Sequence, residues 1–413
     1  ARITPDSLPG RVAREYHRPR PAGSPPKRVA RGKRPSTLER GAKVPGKAYP
    51  MPDHDLLTRR QDAWVDRAAP VLAHLDALCR AHSPVGCERE IDTVILDAIG
   101  PGASRIWQDA AGNVIAHFAG RSADAPLHLT AHKDELGLIV KRVEPDGRLR
   151  VQALGGLYPF KWGEGLVDVL ADGGGTVTGV LSFGSLHVSE ESPVEKVKAG
   201  REPMVWRNAW VDCKRSRNDL ASLGVHAGSK VVPARTRKAP VVLGDFVCGH
   251  ALDDKGGVAI LIEVAARLAH EPPPQDIYLV ISSMEEIGSG SAIYATRTIP
   301  GDRLIAVEIV PAMPEYDIVN DDRPVILYAD STNVYDESVA NRAAALAHGL
   351  GIDVQRGVLS SYGSDASMSK KAGAAPSIGL FGFPTENTHG YEISHLGGIV
   401  NCLEVVATYA YDA

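Results

Sequence analysis

An apolar run that ends in two adjacent glutamates, DIYLVISSMEEIGSGSA, restricts this chain more than any other stretch. From Ile277 to Ser282 it is short, rich in β-branched residues and closed by a glycine-rich turn, which predicts a buried strand. Glu285 and Glu286 then stand side by side at the strand's end. Neighbouring carboxylates repel unless a positive charge lies between or beyond them, and a divalent metal answers that need. One glutamate can ligate while its neighbour stays free to move protons. Read alone, the pair is equally a solvated strand end.

Matching parts occur elsewhere. PLHLTAHKDELG reads as a strand from Pro126 to Ala131 that ends in His132, with Asp134 two residues on. A ligating imidazole needs an acceptor on its other nitrogen, and Asp134 is placed to be that acceptor or its neighbour. GHALDDKGGVAILIEVAARL puts Asp253 and Asp254 ahead of a helix opening at Gly256 or Gly257, where either acid alone reads as an N-cap. RLIAVEIV is a buried strand with one acid, Glu308, and an ionised carboxylate is almost never left unpaired in such a strand. TENTHGYE sets His389 in a polar loop before the C-terminal helix. A lone His132 or His389 is more often a hydrogen-bonded structural residue than a ligand. Together these residues fall at strand ends, where open α/β sheets build their sites, and the set points to metal.

The motifs AHKDELGLIV, VQALGGLYP, ALDDKGGVA, MEEIGSGSA, YGSDASM and THGYE, in that order, resemble the co-catalytic metallopeptidases. The closer resemblance is to the glutamyl/leucyl aminopeptidase family, which includes the tetrahedral aminopeptidases. It runs from about Ala63 to the C-terminus, and it is the set rather than any single motif that is specific. The resemblance implies an α/β fold: a mixed-sheet α/β/α metallopeptidase domain with an inserted small β-domain. It also implies two divalent metal ions per subunit, bridged by Asp253. His132 and Glu308 would complete one ion's ligands, and Glu286 and His389 the other's. Glu285 would be the general base, and Asp134 would orient His132. Mixed imidazole and carboxylate ligands suit zinc or cobalt, or manganese, better than magnesium or calcium.

Two departures stand out. Glu308 occupies a place where the family usually has Asp, and related deacylases and carboxypeptidases tolerate Glu there. Lys133 and Lys255 replace more familiar hydrophobic or arginine residues. Each reads as a solvated side chain, or, if turned into the cleft, as an attraction for acidic substrate ends. Asp365, in YGSDASMSKKAG, is the candidate for the substrate-binding side, with a helix cap as its alternative.

At 413 residues and 44% hydrophobic content, the chain can bury one large core and a smaller one. Alternating helices and strands place a catalytic domain in two parts, 60–148 and 245–413. Between them, 149–244 loses helical periodicity and shows short apolar runs broken by turns such as Asp172-Gly173-Gly174-Gly175. That stretch reads as an inserted β-domain, which the resemblance makes a cap and an oligomerisation surface. Trp206 and Trp210 belong either to such a surface or to the core.

Residues 1–50 carry 13 Lys or Arg against Asp6, Glu15 and Glu39, are rich in proline and hold few large apolar groups. They read as a disordered basic tail without the apolar core of a secretory signal. Met51 would be an ordinary protein start, so the tail is expected to be dispensable. A nucleic-acid or anionic-surface arm is the alternative, although the whole chain has a net charge of −4. No apolar run reaches the roughly 20 residues of a membrane span. Five scattered cysteines form no metal or disulfide pattern, which favours the cytoplasm.

The expected function is a metal-dependent aminopeptidase acting on short peptides and assembled as a homo-oligomer. An amidase or deacylase of a small acylated amino acid or dipeptide-like metabolite is the alternative. A catalytically silent binding protein is the third, and Glu285 argues against it, since structure alone needs no free acid there.

Overall fold

The computed structural model describes residues 54–190 and 193–412, so the basic stretch 1–50 lies outside the described residues. An 11-stranded mixed sheet forms the centre of the fold. Four strands run parallel in its middle, in the spatial order Gln275–Ser282, Ser122–His132, Arg303–Pro311 and Ser377–Glu386. Antiparallel strands continue it on both sides, Val114–Phe118 next to Gln275–Ser282 and Tyr391–His395 next to Ser377–Glu386. Parallel neighbours need long crossovers, and helices on the two faces provide them.

Side chains along each central strand alternate between those faces. Leu127, Leu129 and Ala131, with Ile305, Val307 and Ile309, join one apolar cluster that includes the helices Leu252–His270 and Leu396–Asp412. On the other face Leu304, Ala306 and Val310 pack with Ala366 of the short helix Asp365–Lys371. Each fully buried aliphatic side chain contributes roughly 1.5–3 kcal/mol, so the alternation fixes strand register firmly.

Periodicity predicts a single apolar stripe, Val258, Leu261, Ile262, Ala265 and Leu268, on a helix from Gly256 to His270, and a C-terminal helix from about Glu392; the structure differs in both. Leu252–His270 is buried on nearly all sides rather than along one stripe, because the sheet covers one side and helices His54–Arg80, Arg89–Ile99 and Leu396–Asp412 cover the others. A helix wrapped in this way needs no polar face. The C-terminal helix starts at Leu396, not near Glu392, because Tyr391–His395 pairs with Phe246–His250 and extends the sheet.

Between Gly137 and Pro233 six strands close into an antiparallel barrel, in the order Gly137–Val143, Leu149–Leu154, Trp210–Asp212, Thr176–Ser182, Gly165–Leu170 and Lys230–Pro233. Leu138, Val140, Val151, Val167, Leu181, Val211 and Val231 fill its interior. Closure leaves no strand edge open. Trp206 packs against this core and donates its indole N–H to the Leu157 carbonyl at 2.7 Å, while Trp210 lies under Arg148 and Arg150.

Buried charge pins the barrel to the sheet. Glu135 takes Lys238 at 2.6 Å and Lys255 at 3.3 Å, and both lysines also donate to the Ala81 carbonyl. Burial opposes ionisation of Glu135, but the two ammonium groups prevail and hold its carboxyl at about 2. Lys133 is equally buried and is used by Asp92 and the Gly112 carbonyl. Neither Lys133 nor Lys255 is therefore a solvated side chain, and neither points into the cleft. All five cysteines are free, and among the described residues no helix is long and apolar enough to cross a membrane.

Candidate metal centre

Strand register brings the first residues of the site together. Ser282 pairs with His132, and Ala306 pairs with Thr130. Two residues beyond that last pair, Glu308 and His132 face the same way from adjacent parallel strands. The site thus forms at the carboxyl ends of the central strands, the edge where open α/β sheets bind ligands.

Asp253 joins from the start of its helix. Asp253 and Asp254 have non-helical backbone angles and a cis peptide between them. The capping role falls to Asp254, whose carboxylate accepts the N–H of Gly257 at 3.0 Å and that of His132 at 3.2 Å. Asp253 is left free to face the cleft. Gly257 is required by close packing, since a Cβ there would lie 2.5 Å from the Asp254 carboxylate and the Val307 carbonyl.

Ligand-type atoms of His132, Asp253 and Glu308 lie within 4.8 Å of one another, as do those of Asp253, Glu286 and His389. Asp253 is common to both groups. His132 Nε2 is 3.0 Å from Asp253 Oδ1, and His389 Nε2 is 3.6 Å from Asp253 Oδ2 and 3.9 Å from Glu286. Each imidazole is oriented through its other nitrogen. His132 Nδ1 donates to the Asp134 carbonyl at 3.2 Å, and His389 Nδ1 donates to the Gly156 carbonyl at 3.0 Å. Both hydrogen bonds leave Nε2 as the free donor atom for a metal. A Cβ on Gly156 would come to 3.0 Å from the His389 ring, so any larger residue there would crowd the imidazole.

Asp134 meets His132 through its backbone carbonyl, and its carboxylate has a further use. Its side chain lies 3.6 Å from His132 Nδ1 but accepts the backbone N–H groups of Glu285 at 3.0 Å and Glu286 at 3.2 Å. It fixes the turn that carries both glutamates. Glu285 receives the Ser289 hydroxyl at 3.1 Å. Asp365 sits beneath the cleft rather than along it. Ser282 donates to its buried carboxylate, the Thr130 hydroxyl lies 3.2 Å from it, and Ser364, not Asp365, caps the helix.

Glu392 belongs to the site and closes the THGYE motif, although the sequence reading gives it no role. Its buried carboxylate accepts the N–H of Asp253 at 3.1 Å and that of His389 at 2.9 Å. The available sign is weak: in YEISH an acid occupies a buried position of an alternating strand. Five non-glycine residues around the site, Ala251, Met284, Ser289, Asn387 and His389, have left-handed φ angles, a strain that only well-determined surroundings sustain.

The electrostatics call for cations. Burial, then mutual repulsion, pushes the carboxyls of Glu286 and Glu308 well above their usual range, and burial pushes Glu285 up to about 8. Burial alone would discharge His132, yet Glu308, Asp134 and Asp253 drive its imidazole well above the ordinary value. Glu286 Oε1 is buried with no hydrogen-bond partner. A dense acid cluster with an orphaned oxygen and two pre-oriented imidazoles fits divalent cations. The cleft in front of it has a volume of about 360 Å³ and is also lined by Gly288, Ser361, Tyr362, Gly363 and Met368.

The profile of the M42 glutamyl aminopeptidase family matches residues 112–405. Among individual proteins, YhfE of Bacillus subtilis (strain 168) is 28% identical over 337 residues, 79% of this chain and 93% of that protein. SgcX of Escherichia coli (strain K12) is 28% identical over 247 residues, 59% of this chain; the match covers 64% of SgcX, less than two thirds of its length. The TET1 peptidase of Pyrococcus horikoshii, solved in a form that assembles into a tetrahedron or a large octahedral shell, superposes with a TM-score of 0.74. Its identity is 23%, over 83% of this chain and all of that one.

Proposed function

The chain belongs to the M42 glutamyl aminopeptidase family, and from that membership we propose that it is a dinuclear metal-dependent aminopeptidase that removes N-terminal residues from short peptides. The observation that carries this reading is the pair of ligand groups that share Asp253. His132 and Glu308 would hold one ion with Asp253, and Glu286 and His389 the other. Zinc or cobalt, or manganese, suits these ligands. When bound, the ions supply Lewis acidity for an attacking water and for the scissile carbonyl.

The chain's own residues do the rest. Glu285 takes a proton from the attacking water and later delivers it to the leaving amine nitrogen. Ser289 steadies its carboxylate, and Asp134 holds the backbone from which Glu285 and Glu286 project. Glu392 keeps Asp253 and His389 in mutual register. By analogy with the TET1 peptidase, the subunit joins a closed homo-oligomer through its barrel. Five free cysteines suit a reducing cytoplasm.

The test is a panel of aminoacyl-nitroanilides with N-acetylated controls, given to chelated protein before and after zinc, cobalt or manganese is added. Metal-dependent cleavage of unblocked substrates alone is expected. Cleavage of the blocked set would transfer the assignment to a metal-dependent amidase or deacylase, a class that also tolerates Glu at the place of Glu308.

A further inference from the structure

We infer that a second ligand site lies between the barrel and the sheet domain, and that it holds the phosphate group of a small hydrophilic molecule. A cavity of about 800 Å³ opens there, within the size range of small-molecule sites. It shares no lining residue with the cleft of the metal centre. One wall comes from the segment that leads into helix Arg89–Ile99, and the other comes from the barrel.

The charges on those walls do not balance. Three cations, Arg89, Lys230 and Arg235, stand against two acids, Glu90 and Asp172. Both acids are already engaged: Arg235 grips Glu90 through two nitrogens, and His226 Nε2 lies 3.1 Å from Asp172. Among the described residues, Arg89 and Lys230 have neither an ion pair nor a side-chain hydrogen bond. They enter from opposite walls, Arg89 at the start of its helix and the half-buried Lys230 at the start of strand Lys230–Pro233. Like charges gathered around a hollow repel, and an anion between them relieves the repulsion. The patch is positive although the whole chain has a net charge of −4.

The barrel wall also carries three consecutive glycines, in the loop between strands Gly165–Leu170 and Thr176–Ser182. A Cβ at Gly173, Gly174 or Gly175 would meet nothing within 4 Å. Gly173 and Gly174 have φ angles of +73° and +85°, which favour glycine, but Gly175 has a φ of −74°. Neither packing nor conformation therefore accounts for the third glycine. Bare backbone of this kind lets a phosphate come close to main-chain N–H groups. Thr176 and Ser229 add hydroxyls, and among the described residues lining the cavity there is no Phe, Tyr or Trp. A nucleotide base would find no ring to stack on, so the lining suits a phosphate monoester with a short polar body.

Cys87 gives a local reporter, because it is half-buried in the cavity wall while the other four cysteines are buried elsewhere. Iodoacetamide alkylation of the metal-loaded full chain, followed at the Cys87 peptide by mass spectrometry, should slow when glycerol 3-phosphate is added at constant ionic strength. At about ten times the Kd the rate should fall about tenfold, matching the fraction of empty sites. Lys230→Met and, separately, Arg89→Gln should each raise the concentration needed by about tenfold or more. Both variants should keep native circular dichroism and, without the phosphate, wild-type hydrolysis of aminoacyl-nitroanilides. An unchanged alkylation rate overturns the inference, and so does equal protection of wild type and both variants. Protection by succinate at the same or a lower concentration overturns the phosphate assignment. Phosphate held only at the metal centre would leave Cys87 unprotected, which is the first of these overturning results. Alkylation needs no turnover, so it decides on this site even if the aminopeptidase reading fails.

Discussion

Asp253 donates its backbone N–H to the carboxylate of Glu392 across 3.1 Å, although the two residues are 139 positions apart. The other oxygen of that carboxylate takes the N–H of His389. One buried acid therefore sets the spacing of two residues from different segments that share a candidate ion.

Glu392→Gln keeps the shape but replaces one of the two accepting oxygens with a donor. Metal affinity should fall about 10- to 100-fold, as happens when a partner that orients a ligand is lost. Competitive titration against a chelating dye checks this. Unchanged affinity with native circular dichroism would remove Glu392 from the positioning role.

Glu285→Gln should retain both ions and the fold while kcat falls by about 10² to 10⁴. Metal content by elemental analysis, alongside turnover, separates a lost base from a lost ligand. Turnover equal to wild type would rule Glu285 out.

Removal of metal should lower the melting temperature. Each ion stabilises by roughly 2.7 kcal/mol at about 100 Kd free concentration. The metal-free protein should also respond to pH. Glu285 is pushed up to about 8 from 4.5, so below about 8 the folded state binds a proton that the unfolded chain does not. Stability should therefore rise as pH falls from about 8 to 6.5. Below that, His250, held down to about 4 by burial, acts in the opposite direction. Calorimetric scans with and without chelator at both pH values test the sign.

Lys238→Met should destabilise by roughly 3–5 kcal/mol, because Glu135 would be left buried with one cation fewer. Adding Glu135→Gln should restore part of that loss. The Glu135 carboxyl is held at about 2 against 4.5 when exposed. Its stabilisation is therefore complete above about 4.5 and is lost as pH falls toward about 2. The stability gap between wild type and Glu135→Gln, followed by urea titration, should close across that interval.

Much of the site's composition was legible because metal chemistry restricts residue types. An acid pair after a strand, an acid inside an apolar strand and a histidine at a strand end are each costly without a cation, and the register lays His132 and Glu308 side by side. The parts that escaped depend on distant partners. Nothing near Lys133 or Lys255 in sequence announces that Asp92 and Glu135 will neutralise them in the interior. Nor could Asp365 be assigned locally, since its surroundings come from Ser282 and Thr130. The helix Leu252–His270 misled for a related reason: periodicity shows an exposed face only when one exists, and this helix has almost none.

The bond from His389 Nδ1 to the Gly156 carbonyl reaches from the sheet's carboxyl edge into the loop that follows barrel strand Leu149–Leu154. Whatever pulls on the barrel, such as a neighbouring subunit, therefore also pulls on an imidazole. A mechanical load on that loop would be felt as a change in how tightly one ion is gripped.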